Sequence, residues 1–198
     1  NSFLEENSYG FKEELFDKNK GVIGSRTYQY EQEKDGYKKN IIGFHYSRYN
    51  LLTNKVVKLF SNTSTNINYL KSDLIAFNAQ QNIFLTSVFN DDKNGTQFIV
   101  ISEGKEFLVG KPRLFGFEKS DVKFSNSGKY LCLKTDKNTY EIYDWQTNNL
   151  IYTHKGDYIY DIIHPVDNHN FIITKSNPKD KSSEKQVSNL LSETNNTF

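Results

Sequence analysis

His164 and His169 flank Pro165-Val166-Asp167-Asn168, which sets two imidazoles and a carboxylate within six residues and raises the question of a transition-metal site. Zinc-binding histidine pairs need one helix face or cysteine partners. A stretch holding Pro165 reads instead as a turn between two strands, and His45 and His154 read as ordinary strand residues. Asn90-Asp91-Asp92-Lys93-Asn94-Gly95 places oxygen ligands at alternating positions before a glycine, like the first half of a calcium loop. Its second half fails, because the twelfth position is Ile101 and the first is Asn. A hairpin turn with Gly95 at a positive φ explains the same residues. Lys18, Lys20, Lys38, Lys39, Lys55 and Lys58, beside many tyrosines, would suit RNA, but Glu31, Glu33 and Asp35 interrupt them, as on a solvated mixed-charge surface. No Gly-x-Ser-x-Gly elbow, Walker A loop or Gly-x-Gly-x-x-Gly fingerprint occurs. The chain is read as non-catalytic, with no cofactor and no metal expected.

Composition narrows the partners. Lys and Arg number 25 against 24 Asp and Glu, so no whole-chain field favours a phosphate backbone or anionic lipid, and nucleic acid is an unlikely partner. Thirteen Tyr and fifteen Phe suit strands and are too apolar for disorder. The single cysteine, Cys132, lies in the run Tyr130-Leu131-Cys132-Leu133, which excludes an internal disulfide and predicts a small core residue. No apolar stretch approaches the ~18 residues of a membrane span, and Asn1-Ser2-Phe3-Leu4-Glu5-Glu6 lacks the pattern of a signal peptide. With no initiator Met, the start reads as a processing or cloning boundary, and a removed upstream export signal stays open. The compartment therefore stays open, with an intracellular one slightly favoured. Acceptor patterns for glycosylation at Asn62, Asn94 and Asn195 are what chance gives in so Asn-rich a chain.

Short apolar runs separated by polar turns must position all of these groups. Asp121-Val122-Lys123-Phe124 turns through Ser125-Asn126-Ser127-Gly128-Lys129 into Tyr130–Thr135, then into Thr139–Asp144 and Leu150–Thr153, four antiparallel strands in one meander. A preceding unit aligns at an offset of 47 for Ile75 and Phe77, and at 43 for its later strands Thr96–Ile101 and Glu106–Val109. An earlier one supplies Asn40–Tyr46 and Val56–Phe60, with Arg26–Tyr30 before them, and a fourth runs from Tyr158 to Thr174. Tyr49-Asn50-Leu51-Leu52-Thr53-Asn54-Lys55-Val56-Val57 returns 94 residues later as Tyr143-Asp144-Trp145-Gln146-Thr147-Asn148-Asn149-Leu150-Ile151. A period of roughly 40 to 50 residues marks propeller blades or a similar stacked array.

The third unit resembles a WD40 repeat. The matching residues are Phe124-Ser125-Asn126-Ser127-Gly128, for the turn after the first strand, and Ile142-Tyr143-Asp144, for the apolar-Trp-Asp triplet, with Tyr143 in place of Trp. The family's Gly-His dipeptide is missing; His154-Lys155-Gly156 occupies its neighbourhood. The resemblance covers roughly residues 25 to 175 and implies an all-β fold: a β-propeller-like array of four-stranded antiparallel blades, about three complete and one partial. The expected boundaries are 25–70, 71–112, 113–156 and a partial 157–175. Phe11, Leu15 and Phe16 at helical spacing predict a short helix in the lead-in, residues 1–24. Residues 176–198 read as a solvated polar tail, or as one amphipathic helix through Val187, Leu190 and Leu191.

Closed propellers have four to eight blades, so either the Arg26 region and the final half-unit combine into a fourth blade or, as is expected because exposed strand edges are aggregation sites, this chain is a portion of a longer propeller. The resemblance implies a protein–protein interaction scaffold whose partner is another protein or further blades. Two alternatives stay open: an accessory propeller of an enzyme whose catalytic domain lies outside this chain, and a ligand-binding propeller at a cell surface. Candidate contact residues are Trp145, Tyr49 and Arg48, on turns and strand ends, because Trp, Tyr and Arg dominate binding hot spots. For Trp145, packing within the blade is the competing reading.

Overall fold

Backbone amides that cannot pair along a helix must pair between strands, and a chain rich in aromatic and β-branched residues takes the second course. The computed structural model describes residues 12–32, 39–63, 72–90, 93–113, 121–125, 127–136, 138–156, 162–165, 170–176 and 183–189. Their regular structure is fifteen strands in four meandering sheets, each ordered as its strands follow in sequence. The first sheet holds β1 (Lys12–Asp17), β2 (Val22–Gln32), β3 (Lys39–Asn50) and β4 (Lys55–Thr63). The second holds β5 (Ser72–Asn78), β6 (Ile83–Asn90), β7 (Gly95–Ser102) and β8 (Lys105–Arg113). The third holds β9 (Val122–Phe124), β10 (Tyr130–Asp136), β11 (Thr139–Asp144) and β12 (Asn149–Lys155). The fourth has three strands, β13 (Ile162–Pro165), β14 (Asn170–Ser176) and β15 (Ser183–Asn189). No helix among the described residues is long and apolar enough to cross a membrane.

Two expectations at the ends are corrected. Where helical spacing predicted a lead-in helix, β1 pairs with β2 from Lys12↔Thr27 to Asp17↔Val22, so the first sheet begins thirteen residues before position 25. Leu15 turns inward and Phe16 outward, the period of two that a strand requires; Phe11 lies outside the described residues. Where a tail was expected, β15 pairs with β14 over seven positions, from Asn170↔Asn189 to Ser176↔Ser183. Leu190 and Leu191 lie outside the described residues.

The chain divides into two compact units, Asn1–Phe89 with Ile99–Glu106, and Asn90–Phe98 with Phe107–Phe198. In the first unit, Phe44, Tyr46, Leu74, Phe84, Val88, Ile99 and Ile101 form the core, joined by Leu15, Tyr28, Leu59, Phe60 and Phe77. The Phe77 and Phe84 rings stack at 4.6 Å, and the Tyr46 and Phe84 rings tilt together at 4.9 Å. Arg26 is buried among them, with its guanidinium 4.1 Å from the Phe44 ring centre. It pairs with Glu13 and donates to the Ser72 carbonyl at 3.0 Å. Glu13 in turn accepts the Leu74 amide at 2.9 Å, so one acid and one base bind β1 and β2 to β5.

In the second unit, Tyr130, Cys132, Tyr140 and Ile142 cluster with Ile151 and Tyr152. Burial pushes the Cys132 thiol up to about 12, as befits a core residue that stays protonated.

One turn design recurs. Asp17, Asn50, Asn78 and Asp144 each accept backbone amides two or three residues ahead. The residue four positions on, Gly21, Asn54, Asn82 or Asn148, takes a positive φ, between 53° and 59°. At the turn read as a half calcium loop, the positive φ falls on Asn94 rather than Gly95. Gly95 is buried instead, and an added Cβ would lie 2.8 Å from the Arg113 backbone nitrogen.

A Cβ on Gly24 would meet the Phe77 ring at 2.3 Å. Gly24→Ala should cost about 1–3 kcal/mol of stability by overpacking. Urea denaturation of Gly24→Ala, Phe77→Ala and the double variant should show non-additive losses; strict additivity would mean that the ring does not rest on Gly24.

Candidate interaction surface

Side chains of consecutive strand residues point to opposite faces, so Arg48 and Tyr49 of β3 cannot share a surface. Arg48 stands opposite Gly24 and Val57 and donates to Asn82 Oδ1 at 3.3 Å, which ties it to the β5–β6 turn. Tyr49 stands on the other face, opposite Ile23 and Val56, and Ile23 is itself opposite Phe16. Four strands thus contribute one aromatic and aliphatic row, Phe16-Ile23-Tyr49-Val56. Phe16 is 51% and Val56 39% exposed, and the Tyr49 hydroxyl donates to Asn54 Oδ1 in the adjoining turn.

That turn holds residues the sequence reading missed. Leu52 at its apex is 85% exposed, and Leu51 and, on β4, Val57 are exposed too. A legible signal was present: the equivalent turns carry Lys-Asn-Lys, Ala-Gln-Gln and Trp-Gln-Thr, whereas this one carries Leu-Leu-Thr. A groove of about 530 Å³ opens nearby between the β1–β2 turn and β5, lined in part by Leu15, Phe16, Ile75 and Phe77.

Trp145 is corrected as a contact residue: only 3% of it is exposed. Its ring meets Phe107 edge-on at 5.0 Å, and its Nε1 donates to the Gly128 carbonyl at 2.6 Å. Gly128 closes the WD40-like turn, in which Ser125 Oγ accepts the Tyr130 amide at 3.1 Å and Ser125 O accepts the Gly128 amide at 2.8 Å. Indoles are buried where their N–H finds a partner, and here the partner is the turn that the third sheet is built around.

Tyr143, of the apolar-Tyr-Asp triplet, faces β8. Its hydroxyl donates to Glu141 Oε2 at 2.5 Å and accepts from Arg113 Nη2 at 3.2 Å, and Arg113 also pairs with Glu141. Burial first, then the Glu141 hydrogen bond and charge, push the phenol up to about 12 against the opposing pull of Arg113. His45 of β3 lies 2.5 Å from Ser61 Oγ, and burial with the nearby Lys58 charge lowers its pKa. His164 pairs in register with Ile172 at the β13–β14 hairpin, and residues 166–169 lie outside the described set. No three His, Cys, Asp or Glu side chains gather as a metal site among the described residues.

Trp145 is the sole tryptophan, so native fluorescence should be blue-shifted and resist iodide. Trp145→Phe, which leaves the Gly128 carbonyl without its donor, should lose about 1–3 kcal/mol in urea denaturation; exposed, quenchable emission would refute this placement. In a spectrophotometric titration, the difference between wild type and Tyr143→Phe should show a phenol ionising well above 10. Because the folded pKa exceeds the unfolded one, the stability Tyr143 contributes is complete below about pH 10 and is lost as pH rises toward 12.

No family model matches the chain, and no curated protein matches it. Among solved structures, it is similar to a eukaryotic initiation factor at 10% identity and a TM-score of 0.50, over 93% of this chain and 42% of that one. It is also similar to the β-propeller domain of the Trilobed protease from Pyrococcus furiosus, at 8% identity and 0.47, over 84% and 50%. A third similar structure is the Neurospora crassa Pan2 WD40 domain, at 14% identity and 0.38, over 90% and 62%. The chain spans about half the length of the first two. Three four-stranded antiparallel meanders, a fourth of three strands and a WD40-like turn in the third make this chain an all-β, β-propeller-like array of blades.

Proposed function

We propose that the chain is a non-catalytic scaffold for protein–protein interaction, with its contact surface at the turn end of the first sheet. The observation that carries this reading is Leu52, a large apolar side chain held almost wholly in solvent. The turn beneath it is not slack: Asn50 Oδ1 accepts the Leu52 and Thr53 amides at 3.0 and 3.1 Å, and the Leu51 amide donates to the Gly21 carbonyl at 2.9 Å. A preordered apolar projection loses little entropy on binding. Leu51, Val56 and Phe16 extend it, and exposed Lys55 and Lys58 supply a polar rim, the anatomy of an interface. Contiguous exposed apolar surface marks interaction sites. The partner class is another protein or further blades.

A photo-reactive side chain at position 52, compared with one at Gln146 in the equivalent turn of the third sheet, tests the reading. A discrete protein adduct from position 52 alone is expected; adducts from both positions, or from neither, would sink it. Leu52→Asp should leave stability within about 0.5 kcal/mol and weaken capture of the same adduct partner at least about tenfold, or about 1.4 kcal/mol.

A further inference from the structure

The outer strand of the first sheet differs from its counterparts. Lys55, Val56, Val57 and Lys58 of β4 are exposed in succession, so both faces of the strand stand in solvent there, Val57 to 52%. β8 and β12, the last strands of the second and third sheets, never expose more than two residues in a row, and β8 carries Pro112, which has no amide to offer. β4 pairs with β3 along one side, and no described strand pairs with the other. Alternate residues of such an edge direct their N–H and C=O groups outward, a template for one more strand. The regular stretch is short, because Tyr46 stands opposite Phe60 and Ser47 opposite Lys58, which leaves Leu59 as a bulge.

The side chains restrict which strand can add. In register with β3, Lys55 and Val57 lie on the face of Asn50 and Arg48, and Val56 and Lys58 on the face of Tyr49 and Ser47. Each face therefore offers one aliphatic side chain and one cation. A second Lys-Val-Val-Lys edge laid alongside in register, in either direction, sets lysine against lysine at both ends, and like charges directly opposite are destabilising. The edge thus rejects its own copy. A segment of the pattern acid-apolar-apolar-acid meets each cation with a carboxylate and each valine with an apolar partner. The surroundings carry the same sign: no Asp or Glu occurs between Asp35 and Asp73, a span that holds six Lys and Arg. Among the described residues no carboxylate pairs with Lys55 or Lys58.

We propose that the Lys55–Lys58 edge of β4 receives an extended acid-apolar-apolar-acid segment of a partner protein, added as a further strand of the first sheet. Backbone hydrogen bonds supply the attachment, and the two carboxylates set the register. The proposal rests on the scaffold reading and names the chemistry of its partner.

The test is a proton–nitrogen NMR titration of the isotope-labelled full chain with a blocked peptide of core Glu-Val-Val-Glu and with its Lys-Val-Val-Lys counterpart. The amide signals of residues 55–58 should shift with the acidic peptide, and the basic one should bind at least about tenfold more weakly. The double variant Lys55→Glu, Lys58→Glu, altered only at exposed positions, should reverse that preference and keep the amide signals of the core in place. Methylating the backbone nitrogen of one peptide valine should cost at least about tenfold in affinity, and of the other almost nothing, because alternate amides point at the edge. Equal effects of the two methylations, or a preference that charge reversal leaves unchanged, overturn the proposal. So does an acidic peptide that leaves residues 55–58 unmoved, whether these amides respond instead to vesicles of anionic phospholipid or to the concentration of the chain itself. A discrete protein adduct from position 52 would then still uphold the scaffold reading, and its absence would sink that reading too.

Discussion

Arg26 is the group around which the first unit is arranged. An unpaired guanidinium in this core would be intolerable, and an apolar side chain of similar volume would contribute as much to stability. What the cation adds is direction. Glu13 divides its two oxygens between Arg26 and the Leu74 amide, a donor on the edge strand of the neighbouring sheet. Arg26 reaches the Ser72 carbonyl two residues earlier on that strand, while its flat face lies on Phe44. These ties set the two strand edges in one alignment, the one in which the aromatic core packs. Arg113, Glu141 and Tyr143 repeat the principle between β8 and β11 with different residues.

Given such ties, the sheets need turns of constant length, and the Asx-capped turn supplies them. Asn abundance has a structural use: among the described residues, four of the five non-glycine residues with positive φ are Asn, at 54, 82, 94 and 148. An amide side chain tolerates that conformation, and a carboxamide or carboxylate at the start of the turn holds the amides that no strand partner can reach. The proposed contact surface grows from this frame, because an apolar side chain placed on a rigid turn stays exposed where one on a loose loop would fold back.

The repeat and the hairpins were legible because period-two alternation and polar turns are local properties. The strands of the third sheet fall within a residue or two of where the sequence placed them. The lead-in was misread because three apolar residues, Phe11, Leu15 and Phe16, fit a helical stripe as well as a strand; β2, distant from them in no simple pattern, decides. The last strand was missed because Ser183–Asn189 carries one aliphatic residue, Val187, and owes its conformation to backbone pairing with β14. Trp145 illustrates a different limit. Residue type alone ranks it first among contacts, but whether an indole faces outward depends on a carbonyl seventeen residues away. Tyr49 and Arg48 lie near the end of β3, and the pleat sets them on opposite faces.

The solitary thiol of Cys132 sits sealed in the third sheet and protonated at any ordinary pH. Nature has in effect left this chain blank for bioconjugation: a maleimide dye, spin label or surface tether directed to one introduced cysteine would meet no competing nucleophilic sulfur while the fold holds.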